Sequence, residues 1–312
     1  NLELQTTNYV RNTHGNLVYS LEGSDFVTIE NVHSILKCPV CNLSLEKNEK
    51  QFVCSNNHSY DISSKGYINL LLANQKKTKD PGDGKEMMEG RKDFLNRGYY
   101  HTFSDRLNEI IISNISRKDI NILDVGCGEG YFLSRLKEAI YVNESKDYLN
   151  KRANFFGVDI SKSAVAYAAK RDKKINFIVS SNFNLPIMPS IIDVIIRNFA
   201  PSDDVELKRV LKDNGKLVVV TPGIEHLYGL KEILYVNARK HEEKQTIFEG
   251  FKLIQKEEVK YNIHLEDRES VENLIRMTPY YWTFDNAMKE KASDTSKLST
   301  ALHFNISVYE KC

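Results

Sequence analysis

The chain has 312 residues, room for two domains at roughly 150 residues each, and its 41% hydrophobic and 27% charged residues suit a globular protein with a real core. Lys+Arg 43 against Asp+Glu 42 leaves a formal charge of +1. No whole-molecule field can hold a polyanion, and any nucleic-acid affinity must come from local basic patches. No apolar run approaches the ~20 residues that span a bilayer, and the first residues do not read as a signal peptide. Five cysteines, an odd number with three crowded between positions 38 and 54, do not read as a secreted disulfide framework. The expectation is a cytoplasmic protein with no membrane partner.

In chain order, residues 1–36 hold β-leaning pieces around Gly15 and Gly23 and read as an N-terminal extension without chemistry. Residues 37–73 form a compact Cys/His unit. Residues 74–98 read as a linker, rich in Lys, Gly and Pro at Asn74 to Gly84, followed by a lead-in helix. Helical spacing covers Lys85 to Phe94 and Thr102 to Ile112. From residue 121 short unbroken apolar runs alternate with helical stretches. The runs are Asn121 to Val125, Phe155 to Ile160, Asn176 to Ser180, Ile191 to Ile196 and Lys216 to Thr221, and between them lie Tyr131 to Ala139 and Ala164 to Lys170. Unbroken runs suit a parallel sheet buried on both faces, with crossover helices between strands. Lys252 to Ile263 and His303 to Tyr309 would close the sheet. The fold predicted is α/β and doubly wound, with residues 99–312 as its large domain behind a small metal module.

The metal module rests on Cys38-x2-Cys41-x12-Cys54-x3-His58. A Cys-x-x-Cys knuckle grips one tetrahedral ion from a tight turn, and the second pair fills the remaining positions. A complete Cys3His set leaves no site for an activated water, so one structural Zn2+ is expected. A redox pair would not need Cys54 and His58. A unit under 40 residues cannot fold on its own core, and zinc affinity of about 10–16 kcal/mol would supply the missing stability.

The second motif is Asp124-Val125-Gly126-Cys127-Gly128-Glu129-Gly130, a strand running into a glycine-rich turn that opens a helix. Its spacing is G-x-G-x-G, with an acid two residues before the first glycine, whereas a dinucleotide fingerprint is G-x-G-x-x-G. A pyrophosphate disfavours acids in its loop. S-adenosylmethionine (AdoMet) brings an ammonium and a sulfonium and no phosphate, which suits Asp124 and Glu129. Asp159 ends the next strand, where a carboxylate can accept ribose hydroxyls. Asn182 follows a third strand, within reach of an adenine. Cys127 reads as a small residue tolerated in the turn.

With these motifs in hand, the chain resembles the bacterial large-subunit 23S rRNA (guanine-N1)-methyltransferases, from Cys38 to about Tyr309. The likeness rests on the four Cys/His ligands, Gly66 to Leu71, Asp80-Pro81-Gly82-Asp83 with Glu86-Met87-Met88, and Asp124 to Tyr131. It continues in Ile196 to Pro201, Thr221-Pro222-Gly223 with His226-Leu227, Met277-Thr278-Pro279 and Phe304-Asn305-Ile306. The resemblance implies a zinc ribbon joined to a class I Rossmann-like methyltransferase with a mostly parallel seven-stranded sheet. It implies AdoMet as methyl donor and an rRNA hairpin loop as partner. It also implies pairing into a homodimer, as members of that family often do. It places AdoMet contacts at Tyr100, Gly128, Glu129 and His226. Asn198 and Phe199 then fall beside the methyl position, as residues to bond and stack on a target guanine. Asn198-Phe199 differs from the Ile-Tyr of the enterobacterial branch, which leaves the target guanine open. Arg197 is expected to hold a phosphate or pair with Asp193. Lys76 to Lys79 and Lys170 to Lys174 read as phosphate contacts or solvated faces, and Tyr280-Tyr281-Trp282 as a packed lid or core element or a base-stacking platform. Three rivals share parts of the pattern: a small-molecule methyltransferase, a nicotinamide enzyme and a non-catalytic zinc-ribbon RNA-binding protein.

Overall fold

A computed structural model describes residues 8–11, 17–20, 35–75, 81–82, 84–116, 119–142, 152–242, 247–278, 281 and 284–312. Most of the N-terminal extension, Lys76 to Lys79, Pro279, Tyr280 and Trp282 lie outside them. Strands β1 (Asn8–Arg11) and β2 (Leu17–Ser20) pair antiparallel. Next come β3 (Leu45–Asn48), β4 (Gln51–Cys54) and β5 (Ser59–Asp61), a three-stranded antiparallel sheet. Then follow β6 (Ile68–Asn69), α1 (Lys85–Asn96), α2 (His101–Ser113), β7 (Asp119–Val125), α3 (Tyr131–Val142), β8 (Arg152–Asp159), α4 (Lys162–Arg171) and β9 (Asn176–Val179). The chain continues through β10 (Ile192–Asn198), α5 (Asp204–Val210), β11 (Leu211–Pro222), α6 (Tyr228–Leu234), β12 (Phe251–Leu265), α7 (Arg268–Arg276), α8 (Asn286–Asp294) and β13 (Leu298–Lys311).

Among the described residues the large sheet has the order β12-β13-β11-β10-β7-β8-β9-β6. Only β13 runs against its neighbours. Seven of these strands match the predicted sheet. The eighth, β6, comes from the segment read as part of the metal module, and its Asn69 lies beside Val179 of β9. The unbroken apolar runs have the expected cause, because successive residues serve opposite faces. Phe155, Val194 and Ile196 join one buried cluster with α2, α3 and α4, while Phe156 and Ile195 join another. Side-chain caps hold the helix starts: Ser161 accepts the Ala164 N–H, Asp203 that of Val205 and Asp267 that of Ser270.

The second cluster changes the picture of the small module. It unites Leu36, Cys38, Leu45, Phe52 and Cys54 with Val125, Phe156, Ile187 and Leu217. Main-chain bonds run from Lys37 N to Pro186 O (3.0 Å) and from Met188 N to Ile35 O (2.8 Å). The module is docked against the large sheet, because so short a unit has too little apolar surface to bury against itself. No helix among the described residues is long and apolar enough to cross a membrane.

Candidate functional site

Cys38 and Cys41 sit on the knuckle before β3, Cys54 ends β4 and His58 precedes β5. Their ligand atoms all lie within 4.8 Å of one another. Cys41 Sγ is 3.6 Å from Cys54 Sγ, and His58 Nδ1 is 3.6 Å from Cys38 Sγ and 3.4 Å from Cys54 Sγ. A tetrahedron with Zn–S of about 2.3 Å and Zn–N of about 2.0–2.1 Å has edges of about 3.6–3.8 Å, so the residues fit the ion. The Tyr60 hydroxyl lies 3.3 Å from Cys38 Sγ. Burial alone would raise the Cys38 pKa, but that hydroxyl and nearby N–H groups hold it down at about 6. A thiolate held this way is the ligand form.

The glycine-rich loop leaves β7 at the point where the strand order reverses, with β8 on one side and β10 on the other. This is the crevice position of doubly wound sheets. Gly126, Gly128 and Gly130 have φ of +79°, +55° and +82°, in the left-handed region that glycine tolerates. A Cβ on Gly126 would stand 2.4 Å from Ala200 Cβ and 3.4 Å from Asn182 Nδ2. That close approach gathers the ends of β7, β9 and β10 into one place.

Three carboxylates line the loop. Asp124 is buried, its Oδ1 has no hydrogen-bond partner, and burial with the charge of Asp159 raises its pKa to about 7. Glu129 is buried and raised by that burial, although Arg171 opposes the shift. Its Oε2 accepts Arg171 Nε at 2.7 Å while Oε1 stays unpartnered. Asp159 accepts the Gly128 N–H (2.9 Å) through Oδ2 and the Ser161 N–H (2.8 Å) through Oδ1, which ties it to the glycine-rich loop and to the start of α4. Asn182 donates Nδ2 to Pro201 O (3.1 Å), which leaves its buried Oδ1 unpartnered. The unmatched buried atoms Asp124 Oδ1, Glu129 Oε1 and Asn182 Oδ1 are all acceptors. A ligand with an ammonium and an exocyclic amine completes them, and a pyrophosphate does not. The residues fit AdoMet.

Beyond the loop lies an aromatic wall centred on Phe304 of β13. Phe103 stacks on it at 3.9 Å between centroids, with Tyr100 at 5.4 Å, His226 at 4.8 Å and Phe199 at 5.9 Å. Tyr100 and His226, distant in sequence, therefore share one neighbour. Both are buried, so His226 is no surface residue, and Tyr100 stands at the N-cap position of α2 without a side-chain capping bond. Phe199 stands apart. It follows β10 with φ of +54° and is 46% exposed, a conformation that costs a bulky side chain on the order of 1–3 kcal/mol. Asn198 beside it has a buried Oδ1 without a partner.

Some expectations change. Arg197 reaches Ser202 Oγ (3.3 Å) and Asp204 Oδ1 (3.5 Å) and lies 4.8 Å from the Phe248 ring centroid, while Asp193 holds Lys212 Nζ at 2.8 Å. The pairing with Asp193 is replaced because Lys212 reaches that carboxylate from β11. In the basic run 170–174, Arg171 turns inward to Glu129 and is a structural partner. Cys127 is buried, with its thiol pushed well up by burial and the surrounding carboxylates, so it is no nucleophile. Two residues escaped the sequence reading. Phe304 was visible only as part of a family stretch. Arg91 of α1, in the segment read as lead-in, has Nη1 3.2 Å from where a Gly128 Cβ would stand, and its Nη2 donates to Met277 O at 3.5 Å. No spacing rule links residue 91 to residue 128.

Fold and site together define a class I AdoMet-dependent methyltransferase carrying a structural zinc ribbon. Family comparison agrees: residues 116–287 match the model described as "Methyltransferase domain", and residues 36–79 match "RlmA, N-terminal", a zinc ribbon. The chain belongs to the bacterial 23S rRNA (guanine-N1)-methyltransferase family. It is 30% identical over 218 residues to a Micromonospora griseorubida protein described as "Putative 23S rRNA (guanine-N(1)-)-methyltransferase", covering 64% of this chain and 69% of that one. It is 28% identical over 277 residues to YxjB of Bacillus subtilis (strain 168), which bears the same description, covering 86% and 93% of the two chains. It is also 28% identical over 267 residues to the 23S rRNA (guanine(748)-N(1))-methyltransferase of Streptomyces fradiae, covering 82% and 89%.

Proposed function

We infer that this protein transfers the methyl group of AdoMet to N1 of a guanine in a hairpin loop of 23S rRNA. In this reading residues 37–73 help recognise the RNA, residues 99–312 carry the reaction, and the protein works in the cytoplasm as a homodimer. Tyr100, Asp124, Gly126, Gly128, Glu129, Asp159, Asn182 and His226 hold the cofactor. Asp124 takes the ammonium, Asp159 the ribose and Asn182 Oδ1 the adenine amine, while Arg91 offers its cation to the carboxylate. When bound, AdoMet would supply an electrophilic methyl, its S–CH3 bond breaking as the N1–CH3 bond forms and the N1 proton is lost, and the chain's own residues bring the base to it.

The observation that carries the RNA reading is Phe199. A half-exposed ring in a strained left-handed conformation, at the mouth of a donor-binding crevice, suits a platform for a flipped or unpaired base. Asn198 Oδ1 beside it is an acceptor for a guanine N–H. Positioning supplies most of the acceleration. A small-molecule methyltransferase has no need of a docked zinc ribbon, and a nicotinamide coenzyme would bring phosphates to three carboxylates.

Primer extension across 23S rRNA treated with protein and AdoMet is the test, because N1-methylguanine blocks pairing. The expected result is one new stop in a hairpin loop, and full read-through would overturn the reading. Phe199→Ala should raise the KM for RNA by roughly 5- to 100-fold, the worth of one base–aromatic stack. The same change should leave the AdoMet Kd within about threefold, since one lost peripheral contact is small beside the cofactor's buried hydrogen bonds.

A further inference from the structure

The turn after β11 that presents His226 is bracketed by one residue of β13. Gly223 N–H donates to His303 O at 2.8 Å, Glu225 N–H donates to His303 Nδ1 at 3.2 Å, and the His303 N–H donates to His226 Nδ1 at 3.3 Å. The His303 ring is buried under the turn so closely that a Cβ on Gly223 would stand 2.1 Å from its Cδ2. Its Nε2 lies 3.0 Å from Glu258 Oε1 of β12 without making a hydrogen bond.

A main-chain N–H can only donate, so both Nδ1 atoms are acceptors, and each neutral imidazole carries its proton on Nε2. His226 is therefore an Nε2–H donor set among Phe199, Phe304 and His241. Burial, reinforced by His241, holds its pKa at about 3. It is no base for guanine N1.

We propose that His303, through its side chain, is a positioning residue that fixes the pose of the 223–226 turn, and so keeps His226 Nδ1 on the main-chain N–H of residue 303. The proposal rests on reading His226 as a cofactor contact. Its ring acts by accepting the Glu225 N–H and pinning the turn there, while the main-chain N–H of residue 303 occupies one lone pair of His226.

Two near-isosteric changes separate this role from mere packing. In His303→Asn the side-chain oxygen stands where Nδ1 does and still takes the Glu225 N–H. In His303→Gln the amide reaches toward Glu258 and leaves that N–H without an acceptor. On full-length, zinc-loaded protein, imidazole 15N–1H correlation reports the His226 tautomer, and AdoMet titration reports affinity. His303→Asn should keep the single Nε2–H tautomer and a Kd within about threefold of wild type, whereas His303→Gln should mix tautomers and weaken AdoMet about tenfold. Equal behaviour of the two variants, in tautomer and in Kd, would overturn the proposal. His226→Ala tests the underlying reading separately. If it leaves the AdoMet Kd unchanged, His226 is no cofactor contact, while the tautomer comparison still decides whether His303 sets its ring.

Discussion

Cys54→Ser should abolish RNA methylation while leaving AdoMet binding largely intact. The substitution opens a tetrahedral site whose metal contributes about 10–16 kcal/mol in small zinc modules. Cys54 is buried in the cluster that joins the module to the sheet, so losing the ion loosens β3 to β5 and the docked residues Ile35 to Lys37 before them. Zinc content should fall well below one equivalent, and hydrogen exchange should rise across residues 35–70. Strand β9, which leads to Asn182, keeps its pairing with β8 when β6 is lost. The AdoMet Kd should accordingly rise by less than about tenfold, the loss of roughly one hydrogen bond's worth of support. Unchanged exchange in residues 35–70 of a zinc-free protein would show that the module folds without its ion.

Asp124→Asn should weaken AdoMet by on the order of 10²-fold, the worth of a charge-assisted hydrogen bond from the ammonium to a buried carboxylate. It should also remove a pH dependence. With a pKa near 7 in the folded protein against 3.8 as its ordinary value, Asp124 binds its proton more tightly when folded. Stability from this group is therefore greatest below the ordinary value and falls as pH rises toward about 7, where the buried carboxylate ionises. An ammonium beside it reverses the preference. AdoMet binding should release about half a proton at pH 7 and close to one a pH unit or more below it, where affinity should weaken about tenfold per pH unit. Calorimetry in two buffers of different ionisation enthalpy measures the release. Asp124→Asn should abolish it and leave the ligand-free protein more stable above pH 7. A proton release that survives the substitution would move the titrating group elsewhere.

The residues whose chemistry depends on short spacing were legible in the chain. Cys38, Cys41, Cys54 and His58 declare a tetrahedral site because metal geometry restricts which intervals work. Asp124 to Gly130 declares a strand-to-helix turn because glycine adopts its left-handed backbone without the cost other residues meet. The central strands were legible as unbroken apolar runs, since two buried faces leave no polar positions. Arg91, Phe304 and His303 were not legible as site residues. Their roles come from packing across large sequence separations, and no local interval records that Arg91 overhangs Gly128 or that His303 brackets His226.

By itself, the order of residues determined the fold class, the Cys/His cluster and the acid-bearing glycine-rich loop, because each depends on backbone periodicity or on residues a few positions apart. Tertiary structure alone decided three other matters. The zinc ribbon docks as a layer on the main sheet, because its own residues bury too little surface. Arg171 clasps Glu129 from the end of a different helix. His226 is buried as a neutral donor, because its protonation follows from which atoms the folded chain brings to its ring.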